Sequence, residues 1–397
     1  MLKEQVVRNI SAKYKEPKWL LEKRLEAWKK FNQLDIPRFV YGIGIYASVN
    51  DLKLEEVDPN NLNDDEIVVT NDEDVEVLRF DEALSKYEDD IRDFFVRQEL
   101  VSNGNKFEAL HGSCFNSGLF IRIPEGQIIE RPIMINLDLK SKTRIDYVLI
   151  IAEKNSSANI IEAVKSDEKG QMFRSQIIDV VVKENSKIEY KSIQNFGKNV
   201  YNFIKRKGHV GRSASLLWVD CCIGSKFTQN NTRTYIEGEG GESRSWGVAY
   251  GDQNQCYDIN GETIHLASRT TSDMMAKVVL NDKAKTIYRG LVKINPGAKN
   301  CEGYQQEHTI LLSQDAQANT VPNLQIENNE VKCSHGATIT QIDKDKLFYM
   351  MSRGMNEITA KRTIIEGFFD PVIVSVEDEE LRDEIKSSIT KRLEGIQ

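Results

Sequence analysis

Two residues of this 397-residue chain combine types and spacing that suit metal chemistry: Cys333 and His335, within Val331-Lys332-Cys333-Ser334-His335-Gly336-Ala337-Thr338. If the stretch is extended, alternate side chains share a face, so Val331, Cys333 and His335 point one way and Lys332 and Ser334 the other. A thiol and an imidazole on one face suit borderline and soft metals such as iron or zinc. They make half of a four-ligand site, and a second copy of the chain related by a two-fold axis would supply the other half. The competing reading is structural, because Cys is among the most buried residue types and a histidine with one backbone partner is commonly an interior group.

The pair sits where a long strand-patterned body gives way to a helical tail. From about residue 107 to 326, short β-branched runs alternate with turns rich in Ser, Asn, Gly and Lys. Three passages from turn to strand resemble one another: Ser156-Ser157-Ala158-Asn159-Ile160, Glu184-Asn185-Ser186-Lys187-Ile188 and Arg212-Ser213-Ala214-Ser215-Leu216. Their apolar landing residues at 160, 188 and 216 recur every 28 residues, and Gly241-Glu242-Ser243-Arg244-Ser245-Trp246 keeps nearly the same beat. Each interval holds two short strands, the signature of a solenoid with stacked coils. A β-helix is therefore expected, with a β-sandwich or barrel as the alternative. Helical segments at both ends would cover the exposed edges of the terminal coils.

Before the body, Leu20, Leu21, Arg24, Leu25, Trp28 and Phe31 recur at helical spacing behind Pro17. Residues 39–49 read as extended, 51–74 as an acidic irregular connection, and 81–100 as an acidic helix carrying Leu84, Tyr87, Ile91, Phe94 and Phe95 on one stripe. After His335, Asp343 caps a helix through Met351 with Gly354 as its stop, and Asn356 caps another through Phe368, with Pro371 as punctuation. Ser375 and Asp378 form a capping box for a last helix lined by Leu381, Ile385, Ile389 and Leu393. The expected organisation is a helical region with an acidic connection (1–106), a β-helix core (107–340) and a helical domain (341–397).

Composition narrows the function. Hydrophobic residues make up 40% and charged residues 29%, ordinary for a folded soluble protein. A formal charge of −8 gives no basic face for nucleic acid. Apolar runs are too short to cross a bilayer and the first residues contain no apolar signal core, so a cytoplasmic, membrane-free protein is expected. The six cysteines (Cys114, Cys221, Cys222, Cys256, Cys301, Cys333) form no C-x-x-C pair, which favours reduced, mostly structural thiols. No G-x-x-x-x-G-K-[ST] loop is present, so nucleotide hydrolysis would belong to a partner.

Several separated motifs, in order, resemble the SufB/SufD family, the core scaffold subunits of the SUF iron–sulfur cluster assembly system. Glu16-Pro17-Lys18-Trp19-Leu20-Leu21-Glu22 with Arg24-Leu25 is similar to the amino-terminal helix of SufB. So are Gln194-Asn195-Phe196 with Lys198-Asn199-Val200-Tyr201-Asn202, and Tyr288-Arg289-Gly290-Leu291-Val292-Lys293-Ile294, to later SufB segments. The Val331 to Thr338 stretch resembles the closing strand of SufD, while Leu347-Phe348-Tyr349, Arg353-Gly354 and Gly367-Phe368 match the tail common to both. The resemblance implies a right-handed parallel β-helix between helical ends. It also implies dimers that build clusters near the subunit interface, and an ABC-type ATPase, SufC, docked on the tail.

The chain also departs from that pattern. Ala316 stands where SufB subunits carry a cysteine, Gly336 where they carry the glutamate after the histidine, and Thr234 where a further SufB-type cysteine falls. A SufB-like body with a SufD-like closing strand suits a simplified system in which one subunit serves both roles. The resemblance thus implies a non-enzymatic scaffold that works as a homodimer with a SufC-like ATPase, a sulfur donor and apo client proteins, and holds a transient iron–sulfur cluster. Whether a flavin takes part is left open. Cys333 and His335 are the candidate ligands, with Cys301 as reserve thiol; Leu347, Phe348, Tyr349, Arg353 and Gly354 are the candidate partner-binding residues. His308 reads as a core or surface histidine, and the inward one of Cys221 and Cys222 as packing. The rivals are an exported β-helix enzyme acting on acidic polysaccharide and an ATPase adaptor that binds no cluster.

Overall fold

The computed structural model describes residues 2–60, 65, 67–70, 75–97, 104–167, 170–376 and 378–394. Helices α1 (Glu4–Lys13) and α2 (Lys18–Gln33) come first, then a hairpin of β1 (Phe39–Gly42) and β2 (Ile45–Ala47). The expected acidic connection holds a strand, β3 (Ile67–Thr70), followed by β4 (Glu76–Arg79); its residues 61–64, 66 and 71–74 lie outside the described residues. The acidic helix divides into α3 (Phe80–Lys86) and α4 (Glu88–Arg97), and residues 98–100 of the expected span also lie outside. A further helix, α5 (Lys106–Cys114), stands where the strand pattern was expected to begin. Asn105 caps it, and its residues from Ala109 to Cys114 are all buried, so no one-sided stripe marks it in the sequence.

The body is a parallel β-helix. One long sheet contains β6 (Ile133–Leu139), β8 (Ser157–Ser166), β10 (Lys187–Phe196), β12 (Ser215–Gly224), β14 (Glu242–Gly251), β16 (Thr271–Leu280), β18 (Cys301–Leu311) and β20 (Val331–Gln341). The other contains β5 (Ser117–Ile123), β7 (Thr143–Ala152), β9 (Met172–Val182), β11 (Val200–Val210), β13 (Phe227–Ile236), β15 (Cys256–His265), β17 (Lys285–Ile294) and β19 (Gln317–Ile326). Successive strands alternate between the sheets, so every pair of strands makes one coil around a narrow lumen. The register corrects the beat read from the sequence. Ala158, Ile188 and Leu216 form one column, so the intervals are 30 and 28 residues, and Ile160 stacks on Tyr190 rather than Ile188. The recurring Asn and Ser of the turns have a physical cause: Asn155, Asn185 and Ser213 each adopt a left-handed backbone (φ 58°, 57° and 50°), which short polar side chains tolerate best.

The helices pack on the sheets' outer faces. Phe107 of α5 stacks on Phe203 at 4.1 Å, and Phe39 of the hairpin on Phe227 at 5.8 Å, joining the amino-terminal helices to the odd-numbered sheet. After β20 come α6 (Lys344–Ser352), α7 (Glu357–Ile373) and α8 (Glu379–Leu393). Ile365, Phe369, Val372, Leu381, Ile385 and Ile389 of the last two pack on Val219, Cys221, Ile223 and Val248 on the outer face of the even-numbered sheet. Asp343, Asn356 and Asp378 are N-caps, whereas Ser375 instead bonds back to the Val372 carbonyl. Helix α7 runs past Phe368 with Pro371 inside it. The first coil is closed by β3 and β4, which pair antiparallel with β6 and β5. At the other end β19 and β20 are the last strands of their sheets, with no neighbour on their outer sides among the described residues.

Under α5, His111 is fully buried, with Nδ1 3.0 Å from Ser175 Oγ, and burial pushes its pKa from 6.5 down to about 3. A histidine held neutral in the fold but protonated when unfolded stabilises the fold fully above pH 6.5 and progressively less as the pH falls toward 3. Between pH 7 and pH 5, His111→Gln is therefore expected to lose less stability than the parent by about 2 kcal/mol. Urea midpoints at the two pH values measure it, and parallel losses in both proteins would refute the assignment.

Candidate metal centre

Strand pleat fixes where β20 aims its side chains. Its register partners on β18 are Gly303 for Cys333 and Gln305 for His335, and both belong to the lumen-facing set of that strand. Cys333, half-buried, packs at the edge of a cluster with Val292, Cys301 and Leu324. A methyl group added at Gly303 would stand 3.4 Å from Cys333 Sγ, so the missing side chain makes the space into which the thiol points. His335, one step along the same face, is exposed at the mouth of the lumen. On the opposite face Lys332 pairs with Glu302 at 3.2 Å. Partial burial pushes the Cys333 thiol up, more than a backbone contact at Gly303 pulls it down, so metal binding must displace its proton.

The other candidates fall elsewhere. Cys301 is buried, its Sγ 3.2 Å from Thr270 Oγ1 and 3.4 Å from the Ala267 carbonyl. It belongs to a closed polar cluster centred on His265, whose ring nitrogens lie 2.7 Å from Thr270 Oγ1 and 2.8 Å from Ser272 Oγ. Burial pushes His265 down to about 4. His308 faces the outer side, bonded to Thr338 Oγ1 at 2.8 Å. Cys222 faces the lumen and Cys221 lies under the carboxy-terminal helices, and burial raises both thiols. Ala316 is buried in the turn before β19, and Thr234 accepts a bond from the Trp218 indole at 3.1 Å. Among the described residues no group of three His, Cys, Asp or Glu is close enough to hold a metal ion. One chain thus presents one thiol and one imidazole toward an open end.

Two residues that the sequence reading did not select sit just inside that mouth. Gln305 and Glu307 lie on the lumen face of β18, each 1% exposed. Their outward neighbours Tyr304, Gln306 and His308 are polar too, so no alternation of polarity revealed which face was buried. Burial raises the Glu307 carboxyl to about 7.

The tail candidates form a separate surface. Leu347, Phe348 and Tyr349 lie on α6, which buries none of its residues, and Phe348 is 73% exposed. The Arg353 guanidinium sits over the Tyr349 ring at 5.1 Å, and Gly354 takes the left-handed turn (φ 94°) that stops the helix. With Met351, Met355 and Ile358, all exposed, they make an apolar corner directly after β20.

The packing that aims Cys333 can be tested by size alone. At Gly303 an added methyl would also meet Val292 Cγ1 at 2.7 Å, whereas at Gly336 it would meet nothing within 4 Å. Gly303→Ala is expected to cost about 1–3 kcal/mol and Gly336→Ala less than about 0.5 kcal/mol. Equal denaturation midpoints for the two variants would contradict the lumen-facing placement.

Comparison with known proteins places this geometry in a family. The model of the SUF system FeS cluster assembly, SufBD core domain, matches residues 135–368. Iron-sulfur cluster assembly SufBD family proteins of Staphylococcus saprophyticus, Staphylococcus haemolyticus and Staphylococcus aureus (strain MRSA252) are each 25% identical to this chain, over 93% of it and 88% of their own length. No described helix is long and apolar enough to cross a membrane. With the family model covering most of the coiled body and the relatives spanning nearly the whole chain, the protein belongs to the SufBD family of iron–sulfur cluster assembly proteins.

Proposed function

We propose that this chain is a cytoplasmic, non-enzymatic scaffold on which an iron–sulfur cluster is built between two copies of itself and passed to apo client proteins. The observation that carries the reading is the lumen-facing placement of Cys333 and His335 on a terminal strand with a free edge. Thiolate and imidazole are ligands that biology uses for such clusters, and a two-fold axis through the open ends of two coils turns one pair into two. Unpaired backbone on β19 and β20 supplies the reason to associate. The ATPase partner, resembling SufC, would dock on the α6 corner, where exposed aromatic side chains offer the kind of anchor that dominates interfaces.

Anaerobic reconstitution with iron and sulfide, read by visible absorbance, is the direct test. Cys333→Ser or His335→Ala is expected to remove most of the absorbance while leaving a dimer by light scattering. Clusters retained by both variants would move the site, with Cys301 next to be replaced. A parent protein that binds its ATPase but never develops absorbance would be the adaptor instead.

Deleting the tail would not test the ATPase contact, because α7 and α8 cover apolar residues of the even-numbered sheet and their loss would expose them. Phe348→Ala with Tyr349→Ala on the folded chain is expected to weaken ATPase capture by at least about 30-fold, the effect of losing an aromatic anchor. Unchanged capture would place the contact elsewhere.

A further inference from the structure

The lumen is strongly charged near its closed end, and there each carboxylate has a cation. Arg144 Nε lies 2.7 Å from Asp146, Arg174 Nη2 lies 2.7 Å from Glu162, and Arg206 pairs with Asp220. All three arginines are 1% exposed. Toward the open end these arginines give out and Glu307 takes the carboxylate's place. Its Oε1 accepts a bond from Thr309, but its Oε2 has no partner, and among the described residues no lysine, arginine or histidine pairs with it.

The atoms around it are idle in the same way. Gln305, on the same face of β18, has no partner for either amide atom, and across the lumen the hydroxyl of Thr320 on β19 is likewise without one. Thr320 lies near the Glu307 carboxyl and favours its ionised form, against the dominant effect of burial, without making a well-formed hydrogen bond to it. Gly290, the register partner of Pro322 beside Thr320, makes the room: a methyl group there would fall 1.9 Å from Gln305 Nε2. Buried polar groups without partners carry a penalty of about 1–3 kcal/mol each, and in this slice, unlike the arginine-lined part of the lumen, no described cation offsets the carboxylate beside them, which leaves a place for a bound one. A carboxylate, an amide carbonyl and a hydroxyl are hard oxygen donors, the set that divalent cations take together with water. Access is through the mouth, since Ala337, the register partner of Glu307 on β20, is small and exposed.

We propose that Glu307, Gln305 and Thr320 form a divalent-cation site inside the open end of the lumen, which holds ferrous iron before it reaches Cys333 and His335. The identity of the cation as iron rests on the scaffold reading; the site itself does not. Oxygen donors hold the incoming metal, and the thiol and imidazole outside them take it when sulfur arrives.

Manganese(II), a hard cation that forms no cluster, is the probe, titrated into the metal-stripped full-length protein without sulfide and followed by electron paramagnetic resonance. The parent is expected to bind it at a single class of site. Glu307→Gln, which keeps shape and removes charge, is expected to weaken binding beyond the ~10–100-fold that loss of an outer-shell partner costs. No binding by the parent, or equal binding by parent and Glu307→Gln, overturns the site; in that case ordered water alone satisfies these groups. If Glu307→Gln does not fold, Gln305→Leu and Thr320→Val decide in the same way, and undiminished affinity in both overturns it. Because the titration contains no sulfide, its outcome is independent of whether the Cys333 and His335 variants lose reconstituted clusters.

Discussion

A strand in a parallel sheet needs a neighbour on each side, and among the described residues the two ends of this coil meet that need differently. The antiparallel strands β3 and β4 close the first coil, while β19 and β20 keep an outer row of N–H and C=O groups unpaired. Monomers usually blunt such edges. Here the blunting is partial: Pro322 removes one donor from β19, as suits an edge strand. No proline interrupts β20, and Ile339 near its end is 41% exposed. The terminal strand that bears the thiol and the imidazole is thus also the better equipped to receive another chain.

The same pleat governs the interior. Every second residue of each strand points into the lumen and most are buried there, so polar residues at those positions need partners within it. Near the closed end that need is met by arginine–carboxylate pairs, whose worth lies less in net stability than in the severe cost of losing one partner. Near the open end Gln305, Glu307 and Thr320 lack such partners. The lumen therefore changes along its length from charge-paired carboxylates to one without a counter-ion among the described residues, and that part lies next to the chemistry-bearing strand.

The solenoid was legible because its turns repeat. Left-handed turn positions favour Asn, Ser or Gly, although Arg269 takes one of them, and the recurrence of those types marks a coil even where strand residues vary. The beat was misread by two residues at the first coil because Ile160 stood in for Ala158, a smaller member of the same column. The helical tail was legible from its caps, yet its destination was not: a stripe of Leu381, Ile385 and Ile389 says that a face is buried, not whether it meets a coil end or a sheet. In the site, Cys333 and His335 stood out by residue type. Glu307 did not, because on β18 both faces are polar and only the register shows which is enclosed. The family resemblance supplied what spacing could not, the association of this fold with iron–sulfur cluster assembly.

A protein that keeps a cofactor surrounds it with ligands from its own chain and fixes them with further contacts. Each copy here presents one half-buried thiol, whose proton is held more firmly than usual, and one exposed imidazole at a free edge. On the proposed function, a cluster bound there would displace that proton and depend on the second copy for its remaining ligands. Separating the copies or returning the proton would each weaken its hold. Weak retention, a defect in an electron carrier, is what a scaffold requires, since its cargo must leave for another protein's thiolates.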